Sequence, residues 1–489
     1  MKYLISILFI ISCNFSIAQN DYFVKIVSST GAKDMSGHCI KMHPQSGNLF
    51  ILGSVDDNVL ILEMQTNGNV VRKLDLPITS FSDIVTDFEI TNSEIIAVGY
   101  NSKTNKESFI FNFNLSTNTF NWKKVLGEAN NYIHFSEIEL KDTDNSKYLV
   151  YGYIKQEPGG INRQANSNLQ RADAIYFEVD LSTGTITSNN IYAFDKNLST
   201  ETWVSAINEN DKSVMIGSII TDGFSAEASR RVTVGSADHT LNPNDPLPSP
   251  FTFNKKYYEY DGVYRRMYGR DICRVSSSQY AVIGIGTNES LNAASDTVYN
   301  GYLCSIDPSN GNVIQKGNFD QMFFELLSSY GDNLQPFEIG QSGTNYIILC
   351  TMDGVGTNKD FVLISIDEFS YNVNWAVRYD AGGFEKFISN FNSQLVIDDV
   401  NNSIYFVGET DGLSTTGRKD LIVHKVPTLN GEINDDCFSI VELNRSNIDI
   451  SLDWNYSAKD DIQYPVNNYN ELIPRIETIE YKTCFCEGF

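Results

Sequence analysis

Five carboxylates stand where short apolar stretches recur. Glu89 is in DFEI, Glu137 and Glu139 are in SEIEL, Asp271 adjoins ICRV and Glu338 is in PFEI. Two such groups converging on a sugar could act as acid and base, or as acid and nucleophile, on a glycosidic bond. Other catalytic patterns are missing. The histidines His38, His43, His134, His239 and His424 form no HExxH or other paired spacing, which removes a zincin site. Neither a G-x-S-x-G elbow nor a Walker loop occurs. His38 puts a base beside the Cys39 thiol, but Cys39 opens the apolar run CIKM, the setting of a buried thiol. Asp142-Thr143-Asp144-Asn145-Ser146 starts like a calcium loop and lacks its glycine and closing glutamate. Turn chemistry explains it, as it explains DDVNNS at 398–403.

A second set combines arginine with aromatics. Arg163 and Arg171 lie in the polar segment 154–173, and Phe224, Arg230, Arg231, His239, Phe251 and Phe253 in 221–254. Binding hot spots favour this composition. Solvated charges on a tolerant insertion are the plainer reading. These eight are the candidate binding residues, and no catalytic, metal or cofactor residue is assigned.

The elements that must position these residues repeat. SGNLFILG (46–53), NSEIIAVG (92–99), NSKYLVYG (145–152), DKSVMIG (211–217), SSQYAVIG (278–284), GTNYIILC (343–350) and NSIYFVG (402–408) each run from turn formers into strand-type residues. Six end in glycine, which marks a crowded backbone position; the sixth copy ends in Cys350. A short apolar stretch precedes each turn, and a third strand with a hairpin turn follows, as in SFIFNFNLSTNTF and AIYFEVDLSTGTI. In the fourth copy KKYYEYDGVY (255–264) takes the place of the third strand, and VYRRMYG that of the fourth. Other fourth strands are FNWKKVLG, VIQKGNF and VNWAVRYD.

Seven copies of a four-stranded unit at 45 to 65 residues predict an all-β fold, a seven-bladed β-propeller of antiparallel blades. The seventh copy lacks a fourth strand, and YFVKIVS at the other end of the chain has the missing type. The ring is therefore expected to close through the N-terminal strand, leaving a short C-terminal β extension.

The glycine-ended strand, the D-x-x-x-G-x-V hairpin and the W-x-x-x-Y-x-x-G-G strand of NWAVRYDAGG resemble secreted bacterial seven-bladed propellers, grouped with quinoprotein-like and Kelch-like propellers. The resemblance covers residues 21–433. It implies surface, adhesive or binding roles and brings no shared catalytic residues. The S-x-D-x-G-x-x-T-W box of sialidase-like propellers is not found, and four tryptophans are few for a quinone site, so no cofactor is expected. In a propeller the second-to-third loops and the blade crossovers leave on one face. The long segments 154–173, 221–254 and 286–300 then fall side by side on blades three to five. The four prolines of PNDPLPSP favour an extended loop there. MFFELLSSYG, in the connection 318–333, could form a short helix or an apolar plug over the channel.

Residues 1–18 read as a signal peptide with cleavage after Ala18; the alternative is a lipoprotein box leaving Cys13 as a lipidated terminus. No later stretch suits a membrane helix. A net charge of −25 disfavours nucleic acid. Cys39, Cys273, Cys304 and Cys350 fall in apolar runs, and Cys437 could pair with Cys484 or Cys486. The expected division is 1–18 signal peptide, 19–433 propeller and 434–489 an extension, either packed on the propeller or opening a truncated β-sandwich. The function expected is an exported or cell-surface binding or adhesion module for a glycan or protein, working through the loops of blades three to five. The alternatives are a polysaccharide hydrolase or lyase using channel carboxylates, and a structural module of a larger surface protein.

Overall fold

The computed structural model describes residues 23–427 apart from connections at 30–32, 79–82, 104–106, 128–130, 143, 157–171, 187–191, 194–199, 221–229, 241–250, 260–265, 289–297, 315–320, 327–332, 354–358, 380–384, 387–392 and 412–417. Beyond 427 it describes five short strands. Every described element is a β-strand, and the strands form seven antiparallel sheets. The innermost strands of blades one to seven are Met35–Met42, Asp83–Ile90, Asn131–Leu140, Thr200–Glu209, Arg266–Ser276, Leu334–Ser342 and Leu395–Asp398. In blades one to six the other strands follow outward in chain order.

The middle strands are apolar without alternation because both of their faces are covered. In blade two, Ile95 and Ala97 pack toward blade one, while Ile96 and Val98 pack toward blade three. Seven hydrophobic clusters result, each made by two adjacent blades, so the core is a ring of seams. Phe23–Ser29 closes that ring as the fourth strand of blade seven, with Val24 opposite His424 and Ile26 opposite Ile422. Its Val24 and Ile26 face blade six, and its Phe23 and Val27 face blade one.

Two expectations are corrected. The third strand of blade four is Arg230–Asp238, inside the segment read as one long loop, and Phe251–Glu259 is its fourth. VYRRMYG instead leads into the inner strand of blade five, Arg266–Ser276. The β-branched run Val232–Val234 and the small residues after it were hidden by the polar sequence on either side. In blade five, Gln321–Leu326 is a strand paired with Gly301–Cys304, so MFFEL is neither helix nor plug.

The strands after 427 add to blade edges. Phe438–Ile440 pairs with blade six, Leu443–Asn447 with blade five, Ile450–Asp453 with blade four and Val466–Asn467 with blade two. Ile479–Cys484 then pairs with the closing strand Phe23–Ser29. The tail thus laps the circumference backward and covers open sheet edges.

One irregularity recurs in the inner strands. Blades one to six each carry a β-bulge, at His38, Thr86, Ser136, Val204, Arg270 and Phe337. The repeat glycines lie opposite these bulges. A Cβ at Gly217 would stand 1.6 Å from the Thr202 carbonyl oxygen, and one at Gly152 1.9 Å from that of His134. Only glycine fits. Blade six differs: Cys350 stands opposite Pro336.

Candidate functional site

The bulge turns polar side chains toward the next blade, and the inner strands are sewn together there. Val85 N donates to His38 Nδ1 at 3.2 Å, Thr86 Oγ1 donates to the Phe135 carbonyl at 2.8 Å, and Ser136 Oγ donates to that of Trp203 at 2.9 Å. Burial lowers the His38 pKa to about 3, so the ring is neutral and its accepting Nδ1 leaves the proton on Nε2, toward Ser54 Oγ. Ser205 Oγ donates to Asp271 Oδ1 at 2.8 Å, and Ile339 N donates to Asp271 Oδ2 at 2.7 Å. Gln394 N donates to Glu338 Oε2, and Ile40 N donates to the Ser393 carbonyl. These contacts bridge all seven seams.

Two of the predicted channel carboxylates therefore have a structural task. Asp271 and Glu338 sit on inner strands of different blades, as expected, but each holds a backbone N–H of the following blade. Burial raises the Asp271 pKa to about 7 despite its three donors, Ile339 N, Ser205 Oγ and Ile272 N. Burial, then the charge of Asp271, pushes Glu338 well above the usual carboxylate range.

The other predicted carboxylates gather at one mouth of the channel. That mouth lies on the face of the first-to-second turns, here the turn face. Lys41 Nζ stands 3.1 Å from Asp87 Oδ1 and 2.6 Å from Glu89 Oε1. Asp87 also accepts from Ile138 N at 3.0 Å and from Ser393 Oγ. Burial alone would lower the Lys41 pKa, but Asp87 and Glu89 outweigh it and hold the ammonium well above its ordinary value. Glu137 lies beside them, with its Oε2 buried and without a hydrogen-bond partner. Burial, then Asp87 and Glu139, pushes the Glu137 carboxyl well above its usual range; burial, then Glu89, does the same to Glu139. Lys41 and Asp87 escaped the sequence reading. The signal was available in the repeat itself: Asp87 and Glu137 each follow a bulged residue, and Lys41, Glu89 and Glu139 stand two residues further on.

The Arg and aromatic set does not stay together. Arg163, Arg171 and Phe224 lie outside the described residues. Arg230 and Arg231 open the third strand of blade four, opposite Ile220 and Ile219, next to where the 221–229 connection leaves on the loop face. Phe251 and Phe253 lie at the other end of that sheet, opposite Ala237 and Ser236. His239 follows Asp238 on the turn face, buried, with its Nε2 2.7 Å from Ser213 Oγ and its ring against Tyr176. At 8% exposure it is a core residue, and that burial lowers its pKa to about 4.

A cleft of about 360 Å³ opens on the turn face between blades four and five, lined by Glu209, Asn210, Lys212, Tyr280 and Ser309 among others. Its one carboxylate is already engaged: Glu209 takes Arg274 at 2.6 Å and the Tyr280 hydroxyl at 2.9 Å. Cys39 is fully buried, and burial pushes its thiol well above the ordinary range, so no thiolate nucleophile stands beside His38. Cys39, Cys273, Cys304 and Cys350 are free thiols, while Cys437, Cys486 and the Cys484 side chain lie outside the described residues. Among the described residues no helix is long and apolar enough to cross a membrane.

By sequence, no family model and no curated protein matches the chain. Solved structures with a similar fold include phage phi92 endosialidase, at TM-score 0.42 and 11% identity over 86% of this chain and 72% of that one. The polysaccharide lyase Uly1 gives 0.41 and 9% over 80% and 90%, and a europium-containing methanol dehydrogenase 0.37 and 9% over 82% and 93%. Likeness at this level says nothing about chemistry. The chain is a seven-bladed β-propeller whose channel polar groups serve first to join its blades.

Proposed function

We propose that this propeller is an exported or cell-surface binding module that engages a glycan or a protein on its loop face, over blades three to five. The observation that carries this reading is the commitment of Asp87, Asp271 and Glu338 to backbone N–H groups of neighbouring blades, which makes the ring a rigid scaffold for the loops it carries. On that scaffold the connections 157–171, 221–229 and 289–297 leave adjacent blades on one face. Second-to-third connections elsewhere are as short as 56–57 in blade one. Arg230 and Arg231 stand at the root of the blade-four connection, and the reading takes Arg163, Arg171 and Phe224, outside the described residues, as their partners in the set.

Removing 224–252 would delete the strand Arg230–Asp238 and with it blade four. The usable test replaces 157–171 by a short turn and, separately, changes Arg230 and Arg231 to Ala. Binding to whole cells and to a polysaccharide panel is then measured. Weaker binding with an unchanged melting curve supports the assignment; unchanged binding in both variants rejects it.

The polysaccharide-acting alternative rests on Glu137 and Glu139, the inner-strand pair left without backbone duties. Turnover of any panel member that is abolished by Glu137→Gln would put it first.

A further inference from the structure

We propose that the turn-face mouth of the channel is a binding site for an organic ammonium group, carried either by a small diamine or by a lysine side chain of a partner peptide. The geometry shows how such a group would sit. Lys41 already lays one ammonium across Asp87 and Glu89, at 3.1 and 2.6 Å. The next inner strand brings Glu137 and Glu139 alongside, and Asp142 stands on the turn that follows. Lys41 is the cation that faces this group, and both of its contacts are on blade two. The blade-three pair is left over. Glu137 is 6% exposed, and its buried Oε2 has no partner. Glu139 makes no hydrogen bond or ion pair with any described residue, and it is only half-buried. A buried acceptor without a donor is destabilising, and a donor-bearing ligand would relieve it. Glu89 and Lys41 keep 28% and 24% of their side chains exposed, so the mouth opens to solvent on the side a ligand would approach.

The donor set favours an ammonium over a metal ion. No group of three His, Cys, Asp or Glu among the described residues is close enough to hold a metal. An ammonium needs only one or two oxygens at hydrogen-bond distance, as Lys41 shows, and presents three donors.

Protons supply an independent readout. Glu137 faces Asp87, Glu139, Lys41 and Asp271; Glu139 faces Glu89, Lys41, Asp87 and Asp142. Burial and the like charges push both carboxyls well above the usual carboxylate range, which favours their protonated forms. An incoming ammonium favours the ionised forms, and its binding must release protons.

The test is calorimetric titration of the full chain at pH 7 and low salt with putrescine, with tri-lysine and, separately, with Ca²⁺. Each titration is run in PIPES and in MOPS, which carry no primary ammonium, bind Ca²⁺ weakly and differ in ionisation heat. The expected result is one-to-one binding of an amine probe with a buffer-dependent heat. The variant Glu137→Gln/Glu139→Gln keeps the shape of the protonated acids and should bind about tenfold more weakly, a loss of ~1.4 kcal/mol. A control with two exposed acids changed, Asp57→Asn/Asp411→Asn, should bind as the parent does. Putrescine binding with tri-lysine excluded identifies a small amine; binding of both identifies a site open to a peptide. No amine binding, equal losses in both variants, a heat independent of buffer, or binding of Ca²⁺ alone overturns the proposal. The site is on the opposite face from the loops of blades three to five, so this result and the cell-binding result are independent.

Discussion

Replacing Gly217 by Ala should be among the most damaging single-methyl changes in the chain. The added Cβ would lie 1.6 Å from the Thr202 carbonyl oxygen, which belongs to the inner strand of the same blade. A normal C···O contact is about 3.2 Å, so the two strands must part by roughly 1.5 Å, against an inter-strand spacing of about 4.8 Å. Separation on that scale breaks the backbone bonds between Thr202–Trp203 and Gly217–Ser218, worth about 1 kcal/mol each. It also disturbs the packing of Trp203, which is fully buried, and the neighbouring Ser205–Asp271 bond, a repacking cost of about 1–3 kcal/mol. The expected loss is about 3–5 kcal/mol, a large part of the roughly 5–15 kcal/mol that holds a typical domain together. Urea unfolding followed by tryptophan fluorescence and circular dichroism measures it. Blade six supplies the control, because Cys350 already carries a Cβ at the equivalent place opposite Pro336. Cys350→Ala should cost no more than about 1.5 kcal/mol. A Gly217→Ala loss below about 1 kcal/mol, or an equal loss for Cys350→Ala, would refute the crowding argument.

Ile26→Asp places a carboxylate in the closing strand between blades six and seven, at a side chain 4% exposed, and should open the ring. Small-angle scattering would show a larger radius of gyration, and an unchanged radius would contradict closure by this strand. His424 is fully buried against Phe406 and Tyr379, with neither ring nitrogen hydrogen-bonded, and burial lowers its pKa to about 3. A folded pKa below the unfolded 6.5 means its contribution is intact above pH 6.5 and is lost as pH falls toward 3. His424→Phe should thus gain about 2.5 kcal/mol over the parent at pH 4.5 and much less at pH 7, read from denaturation at the two values. Burial pushes the Cys39 and Cys350 thiols well up and Cys304 to about 12, so peptides carrying them should stay unalkylated by iodoacetamide until denaturant is added. Labelling in the native state would contradict their burial.

The architecture was legible because it repeats. Each glycine-ended run marked a second strand, and the missing fourth strand of the last blade pointed to Phe23–Ser29. NWAVRYDAGG was readable as scaffold for the same reason: Trp375 and Tyr379 pack toward blade seven in one cluster. Reading failed where a blade departs from its siblings. Arg230–Asp238 is flanked by polar insertions, so its strand pattern was lost in them, and that error placed Phe251, Phe253 and His239 on the wrong face. Channel chemistry was half legible. Strand assignment found Glu89, Glu137, Glu139, Asp271 and Glu338, but sequence cannot say which carboxylates hold a neighbour's N–H. That depends on a bulge, one extra residue per inner strand, which reorients the side chains after it. Lys41 was missed for a related reason, since its partners Asp87 and Glu89 are nearly fifty residues away and meet it only across a seam.

The backward-lapping tail has a consequence for the order in which the chain acquires its form. Phe23–Ser29 is made before the other described strands, yet both of its sheet partners come late, Leu421–Lys425 on one side and Ile479–Cys484 on the other. Joining ends some four hundred residues apart costs about 5 kcal/mol of loop entropy in a loose chain. Six stacked blades lower that cost beforehand by holding the two ends of a curved array near each other. Blade seven can then form only as a late event, and the strand Ile479–Cys484 can dock only after it. A nascent chain halted after Tyr379 and before Asp420 would be a six-bladed crescent with an exposed apolar face at each end, the form in which this protein would be most prone to self-association.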